Sequence, residues 1–491
     1  MASVPSASSW LLNRPRPAAL VAGGVGLAAA VGALAAVKLS LGLALVGGLA
    51  LIAAILVRPF IGGIVLVALV PAVSGLAPGM PVRHVRISEL LIGAVGVTVL
   101  VTARRLDRPR WEALDWLLLV YGLGWAAIGA YDARVLGEHL SLSDWGTDLG
   151  QLQFFLLYRG VRLTVRTPEE RRTAVRAAVT AATVVAVIAL AQEAHLPKLD
   201  AFLLKVTGAV NQTGGHFLRA TGPFDNWAAL AGYLLPLVLL LVALILGDAR
   251  VHAPRRGLTL LGLLVVALLT TVEASAILSL LIGLIWLGAR YERMRFVLRR
   301  VGLAVLVSSI VASPLIVKKI NSELAKTAGL GQASLLPQTI AYRLQVWSSQ
   351  YLPAIGLRPA EGYGPVLPSS IQWPYPESQY IALLIEGGVP VLLLFAGMTG
   401  ATLEATARAA RSEDGFDAAL GRALLVTGIS LVVMNTIWPY VSNGGTPQML
   451  FGLLAVAAPG WQDVPRRARR GRLLALPAES AGRIIGAAVR S

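Results

Sequence analysis

The stretch NWAALAGYLLPLVLLLVALILG, Asn226–Gly247, contains no charged side chain. A helix of about 20 such residues crosses the hydrocarbon core of a bilayer, where each backbone N–H and C=O must be satisfied within the segment. Comparable runs recur along the whole 491-residue chain. Spans are read over 18–37, 39–57, 59–77, 88–103, 112–130, 149–164, 174–192, 226–247, 257–271, 274–289, 301–316, 378–399, 421–438 and 444–459. The expected fold is all-α, a polytopic membrane domain over 18–459 with about 12–14 transmembrane helices and a large extracytoplasmic loop.

Composition agrees. The chain is 56% hydrophobic, 14% charged and of mean hydropathy +0.70, against about 25% charged residues in an ordinary soluble domain. That deficit excludes a soluble domain of any size. The absence of cysteine excludes disulfides and thiolate metal sites. The net charge of +17 would suit a nucleic-acid binder, but its distribution does not. With fourteen spans both termini lie on one side, and the arginines gather there: Arg14 and Arg16, Arg58, Arg104–Arg110, Arg162–Arg176, Arg250–Arg256, Arg290–Arg300, Arg408–Arg422 and Arg466–Arg472. Lys38, Arg83 and Arg86 are the exceptions. Arginines at inner loops facing anionic lipid account for the charge without nucleic acid. Residues 1–17 are then a cytoplasmic segment and 460–491 a basic cytoplasmic tail. The first apolar run is followed by further spans, so it reads as a first helix rather than a cleaved signal.

The outer side carries the long connections 131–148, 193–225 and 317–376. A connection as long as 317–376 is usually functional. It holds Lys318, Lys319, Arg343 and Arg358, with Glu377 just beyond. Between Ser334 and Pro353, Ile340, Leu344, Trp347 and Tyr351 recur at helical spacing, and Arg343 precedes Trp347 by one turn. Gly362-Tyr363-Gly364-Pro365 follows as a turn in which glycine permits unusual backbone shapes or close approach. Pro376 is suited to open the next helix, which would make Glu377 a first-turn carboxylate favoured by the helix dipole. The 193–225 connection ends in a polar group that includes His216, Arg219, Thr221, Asp225 and Asn226, at the mouth of the 226–247 span. It reads as a helix cap, as an anion site built from an arginine fork and a helix N-terminus, or as an interfacial arginine that snorkels. Trp145, Trp227, Trp373 and Trp438 read as interfacial anchors.

Taken together these features resemble the O-antigen ligase/polymerase superfamily. Arg219-Ala220-Thr221-Gly222-Pro223-Phe224 is similar to the start of its Arg-x-x-Gly-x-Phe signature, whose asparagine would fall at Ala228, with Asn226 two residues earlier. Arg343 and Trp347 match an Arg and a Trp on one helix of the family's external loop. Gly362-Tyr363-Gly364 matches its Gly-x-Gly turn. Glu377-Ser378-Gln379-Tyr380-Ile381 and then Glu386-Gly387-Gly388 match the motif that closes the loop, except that Glu377 stands where the ligase branch has histidine and Ser378 where the family has asparagine. Thr271-Val272-Glu273-Ala274-Ser275 stands where the family has Thr-x-Ser-Arg, so that arginine is lost.

The resemblance implies a bacterial cytoplasmic-membrane enzyme. It would transfer a glycan from a polyprenyl-diphosphate-linked donor to an acceptor hydroxyl at the outer face, as a polysaccharide polymerase or ligase, without metal or other cofactor. It also implies the roles. Arg219 and Arg343 would clamp the diphosphate, with Arg358, Lys318, Lys319, His216, Asn226, Trp347 and Tyr380 as further substrate contacts. Glu377 would be the base. The alternative is a transporter or flippase for a polyprenyl-linked or anionic lipid, using the same arginines without making a bond.

Overall fold

The computed structural model describes residues 39–76, 86–102, 109–137, 141–194, 196–207, 219–249, 251–292, 338–365 and 376–462, with isolated positions between 295 and 321. The expected first span 18–37, the tail beyond 462, most of the expected span 301–316, and Lys318, Lys319 and His216 lie outside the described residues. Those described are mostly helical and include no strand. This is an all-α, multi-pass membrane fold. Helix α1, Leu39–Val57, belongs to a unit that ends at Arg58; a second unit runs from Pro59.

The second unit contains α2 (Phe60–Val73, with a π-turn at Val65–Leu69), α3 (Ile87–Thr102), α4 (Ala113–Leu136), α5 (Leu142–Leu149), α6 (Leu152–Thr164), α7 (Pro168–Glu193) and α8 (Pro197–Thr207). It continues with α9 (Trp227–Leu246), α10 (Pro254–Thr270), α11 (Ala274–Arg290), α12 (Gln338–Val346), α13 (Leu352–Leu357), α14 (Gln379–Ala409), α15 (Gly415–Met434) and α16 (Thr446–Gln462). Among the described residues α4, α7, α9, α14 and α15 are long and apolar enough to cross a membrane. The connection 131–148 differs from a plain loop, since α4 runs on to Leu136 and Ser141 caps α5. The 193–225 connection likewise contains α8.

Local sequence explains where helices start. Thr167 accepts from the Glu170 backbone N–H at 3.2 Å while Glu170 accepts from the Thr167 N–H at 2.9 Å, and Pro168 sits at the first helical position of α7. Asn226 caps α9 by accepting from the Ala229 N–H at 2.8 Å. Helix α9 is apolar on all sides and is accordingly buried from Ala228 to Leu244. It packs against α7, α10, α11, α15 and α16. Gly232 lets it approach Thr446 of α16 closely, where a Cβ would collide with the threonine hydroxyl.

Polar links between elements sort into two ends. At one end Arg159 donates to Asp115 at 3.3 Å, Arg162 pairs with Asp115, Arg171 pairs with Asp417, and Arg176 Nε donates to the Val251 carbonyl at 2.8 Å. At the other, Arg358 donates to Asp132 at 2.7 Å, the Thr221 N–H to Gln192 at 2.9 Å and Asn226 to Asn443 at 3.1 Å. None of these links joins one side of the span alternation to the other. Buried charges at helix ends thus find partners within their own layer, where leaving them single would be costly.

Helix α14 is interrupted at Gly388, whose φ of 65° and ψ of −168° are not helical. Such a break at membrane depth frees backbone groups that need partners. The Gly-x-Gly turn supplies them. Tyr363 N–H donates to the Ile385 carbonyl at 2.8 Å, Gly364 N–H to Glu386 at 2.9 Å, and Val389 N–H donates back to Pro359 at 2.8 Å. Gly362 and Gly364 have positive φ, and a Cβ on Gly362 would stand 2.8 Å from the Glu386 backbone. Both uses of glycine expected of that turn, backbone shape and close approach, are present.

Candidate functional site

The loop helix carries Arg343 at its middle and does not end where α12 ends. A π-turn over Trp347–Tyr351 joins α12 to α13. The extra residue per turn shifts the apolar face. Val346, Tyr351 and Ala354 form a buried cluster with Ile385 of α14, against which Trp347, Ile355, Tyr363 and Ile381 pack. Ile340 and Leu344, which ideal spacing groups with Trp347 and Tyr351, are instead 41% and 48% exposed. Burial pushes the Tyr351 phenol up to about 12.

Arg343 and Trp347 both grip the segment before α14. The Arg343 guanidinium pairs with the Glu377 carboxylate, and the Trp347 indole donates to the Pro376 carbonyl at 2.8 Å. The helix itself begins at Gln379, three residues later than Pro376 would place it, and Ser378 provides no side-chain cap. Glu377 is therefore not a first-turn residue. It precedes the helix with φ +50°, a left-handed conformation that costs an ordinary residue about 1–2 kcal/mol. That conformation coexists with a side chain directed at Arg343, and both side chains keep partial exposure, 18% for Arg343 and 27% for Glu377.

Arg219 lies in a second cluster. Its guanidinium stacks over the Trp227 ring at 4.5 Å and stands 3.7 Å from Glu273. Glu273 also accepts from the Trp227 indole at 3.0 Å and from the Ser275 hydroxyl at 2.9 Å. The Ser275 and Tyr440 hydroxyls share a hydrogen bond of 2.7 Å. Burial and then Glu273 raise the Tyr440 phenol, so it stays protonated. Glu273 sits in the turn between α10 and α11, where Val272 takes φ +47°, a true outlier for a β-branched residue. The carboxylate facing Arg219 thus comes from this turn.

The connection between α15 and α16 joins the two clusters. The Asn435 carbonyl accepts from the Gln379 N–H at 2.9 Å and the Ser378 hydroxyl at 3.4 Å, two and one residues from Glu377, and its side chain accepts from the Tyr440 N–H at 3.1 Å. Gln379 and Ser442 exchange hydrogen bonds at 3.0 and 3.1 Å. Asn443 holds Asn226, whose amide also donates to Asp225 at 3.0 Å. Burial raises the Asp225 carboxyl, with Arg86 opposing it.

Other expected site residues have different settings. Arg358 pairs with Asp132 and Glu361 and lies over the Tyr363 ring at 5.2 Å. Those contacts fasten the loop to α4. Tyr380 turns into the bundle, its hydroxyl donating to the Val432 carbonyl at 2.7 Å. Asn226 caps α9. Glu273 and the Asn435–Asn443 connection escaped the sequence reading, although an acidic residue between two apolar spans is itself a signal, since it needs a partner.

Residues 258–396 match the family described as O-antigen ligase. That match, over less than a third of the chain, supports the resemblance to the O-antigen ligase/polymerase superfamily. It includes Glu273, Arg343, Trp347, Arg358, Glu377 and the break in α14 at Gly388; Arg219 lies before it. No curated protein matches the chain. The match supports O-antigen ligase-type glycan transfer in general, the family implying a lipid-linked glycan substrate and a membrane context.

Proposed function

We propose that this O-antigen ligase-type protein moves a glycan from a polyprenyl-diphosphate donor to an acceptor hydroxyl at the outer face of the cytoplasmic membrane. The observation that carries the reading is the Arg343–Glu377 pair, locked by Trp347 onto Pro376 and tied through Asn435 and Tyr440 to the Arg219 cluster. The leaving diphosphate gains charge as the glycosidic bond breaks, and Arg219 and Arg343 neutralise it by two-pronged contacts. The acceptor hydroxyl loses a proton, and Glu377 takes it. Arginines suffice for the countercharge, so the reading requires no metal. Arg358, held by Asp132, keeps the loop over α4; Lys318, Lys319, His216, Asn226, Trp347 and Tyr380 remain assigned to the substrate's surroundings.

In this reading the layer containing Glu377 is extracytoplasmic, both termini are cytoplasmic, and the domain runs over 18–459 with a cytoplasmic segment at 1–17 and a basic tail at 460–491. The arginine distribution supports that orientation. The test is incubation of the purified protein with polyprenyl-diphosphate-linked glycans and candidate acceptors, followed by mass analysis. Transfer with release of polyprenyl diphosphate is expected. Binding of the lipid without any transferred product overturns the reading.

A further inference from the structure

We infer that Glu273 is a positioning residue that fixes the orientation of the Arg219 guanidinium, so that Arg219 meets the diphosphate edge-on rather than as a mobile charge. The inference rests on the reading of Arg219 as a diphosphate clamp. A guanidinium has two useful geometries, a flat face for aromatic rings and an edge of N–H donors for oxyanions. Arg219 uses its face on Trp227, 4.5 Å away. The same tryptophan donates its indole N–H to Glu273 at 3.0 Å, and Glu273 stands 3.7 Å from Arg219 Nη1. Ring, carboxylate and guanidinium thus form a closed triangle in which each member orients the other two.

The carboxylate is itself held from behind. Its second oxygen accepts from Ser275 at 2.9 Å, and Ser275 meets the Tyr440 hydroxyl at 2.7 Å. Tyr440 is fully buried and anchored through Asn435 to the start of α14. The triangle is therefore coupled to the segment that carries Glu377. Both Arg219 and Glu273 have side chains 13% exposed, which shields their interaction from water and leaves room for a ligand edge.

The arrangement has an unusual electrostatic consequence. A carboxylate beside the clamp repels an anionic ligand through the same charge that orients Arg219. Removing the charge relieves repulsion in the ground state and loosens Arg219 in the transition state, where alignment counts most. A residue that serves the fold alone would not move binding and turnover in opposite directions.

The experiment uses full-length protein in lipid nanodiscs. Wild type, Glu273→Gln, Arg219→Lys and the double variant are compared for binding of undecaprenyl diphosphate and for turnover of lipid-linked glycans extracted from the source cells. Glu273→Gln should bind undecaprenyl diphosphate as tightly as wild type or up to several-fold tighter, while turnover per folded molecule falls about tenfold. In the Arg219→Lys background the same change should add no further loss, because the fork it orients is gone. Ser275→Ala, which removes one donor to Glu273 and keeps its charge, should cut turnover less and leave binding unchanged; it decides the matter if Glu273→Gln does not fold. Full turnover in Glu273→Gln, independent losses in the double variant, or unaltered turnover in Ser275→Ala where it alone is measurable, overturns the inference. If Arg219→Lys itself turns over and binds as wild type, the reading of the diphosphate clamp fails instead.

Discussion

Replacing Glu377 by glutamine removes one negative charge and keeps the side chain's shape, which separates its contribution to the fold from its contribution to the reaction. The Arg343–Glu377 pair is partly open to solvent, with side-chain exposures of 18% and 27%, and pairs so placed contribute about 0.2–1 kcal/mol. A positioned proton acceptor contributes roughly 10²–10⁴-fold in turnover, equivalent to about 3–5.5 kcal/mol of barrier. The catalytic effect is thus several times the structural one, and both can be read from one preparation. Thermal unfolding in detergent, binding of undecaprenyl diphosphate and turnover of lipid-linked glycan are measured separately. Glu377→Gln should unfold within a few degrees of wild type, bind the diphosphate, and turn over roughly 10²–10⁴-fold more slowly. Glu377→Gly extends the test. At φ +50° glycine escapes a cost of about 1–2 kcal/mol that other residues bear, which offsets the lost ion pair. The glycine variant should be as stable as wild type and inactive. Turnover by the glutamine variant within about threefold of wild type, per folded molecule, would remove Glu377 from the reaction.

Arg343→Lys keeps the charge but not the fork, and turnover with the protein at its normal level should fall at least tenfold; activity near wild type refutes the clamp. Gly388→Ala forces a Cβ to within 2.6 Å of the Ala360 backbone at φ +65°, so it should lower the unfolding temperature and the yield of folded protein, with protease sensitivity as a second readout. Ser349→Cys, exposed on the loop helix, should react with an impermeant maleimide from outside intact cells. Glu413→Cys, exposed at the opposite end, should react only once the membrane is opened, and the reverse pattern sinks the orientation. Asp148 is fully buried with neither carboxylate oxygen hydrogen-bonded, and burial, then Asp144, raises its carboxyl to about 6. With the folded value raised, the folded state holds the proton more tightly, so stability falls as pH rises from about 4 and levels off above about 6. Asp148→Asn should flatten that slope and raise the unfolding temperature at pH 8; an unchanged profile refutes it.

Hydropathy made the membrane fold legible because the demand it reflects is local. A helix in lipid satisfies its own backbone, so the composition of about 20 consecutive residues decides whether it can cross. The expected spans 88–103, 226–247 and 257–271 correspond closely to Ile87–Thr102, Trp227–Leu246 and Pro254–Thr270. The pairing of Arg343 with Trp347 was legible for a similar reason, since one turn separates them on a single helix and both reach residues 376–377. Start points were less legible. Pro376 is a good first helical residue, yet α14 begins at Gln379 because Trp347 and Arg343 hold the preceding backbone elsewhere. The π-turn at Trp347–Tyr351 similarly overrode ideal helical spacing.

The sequence alone therefore determined that the chain is a helical membrane protein, where apolar helices such as Ile87–Thr102 and Trp227–Leu246 fall, and which connections hold its arginines. Only the tertiary structure decided which carboxylate each arginine faces. Glu273 reads in sequence only as part of a turn that departs from the family's pattern, and in space it is the countercharge of Arg219. Gly362 and Gly364 read as a turn, and in space their segment completes an interrupted helix 22 residues further on. The Ser275–Tyr440 bond spans 165 residues and Arg343–Glu377 spans 34. Hydropathy and helical period are properties of neighbouring residues, whereas a partner for a half-buried charge is chosen by which helix ends packing brings into one layer.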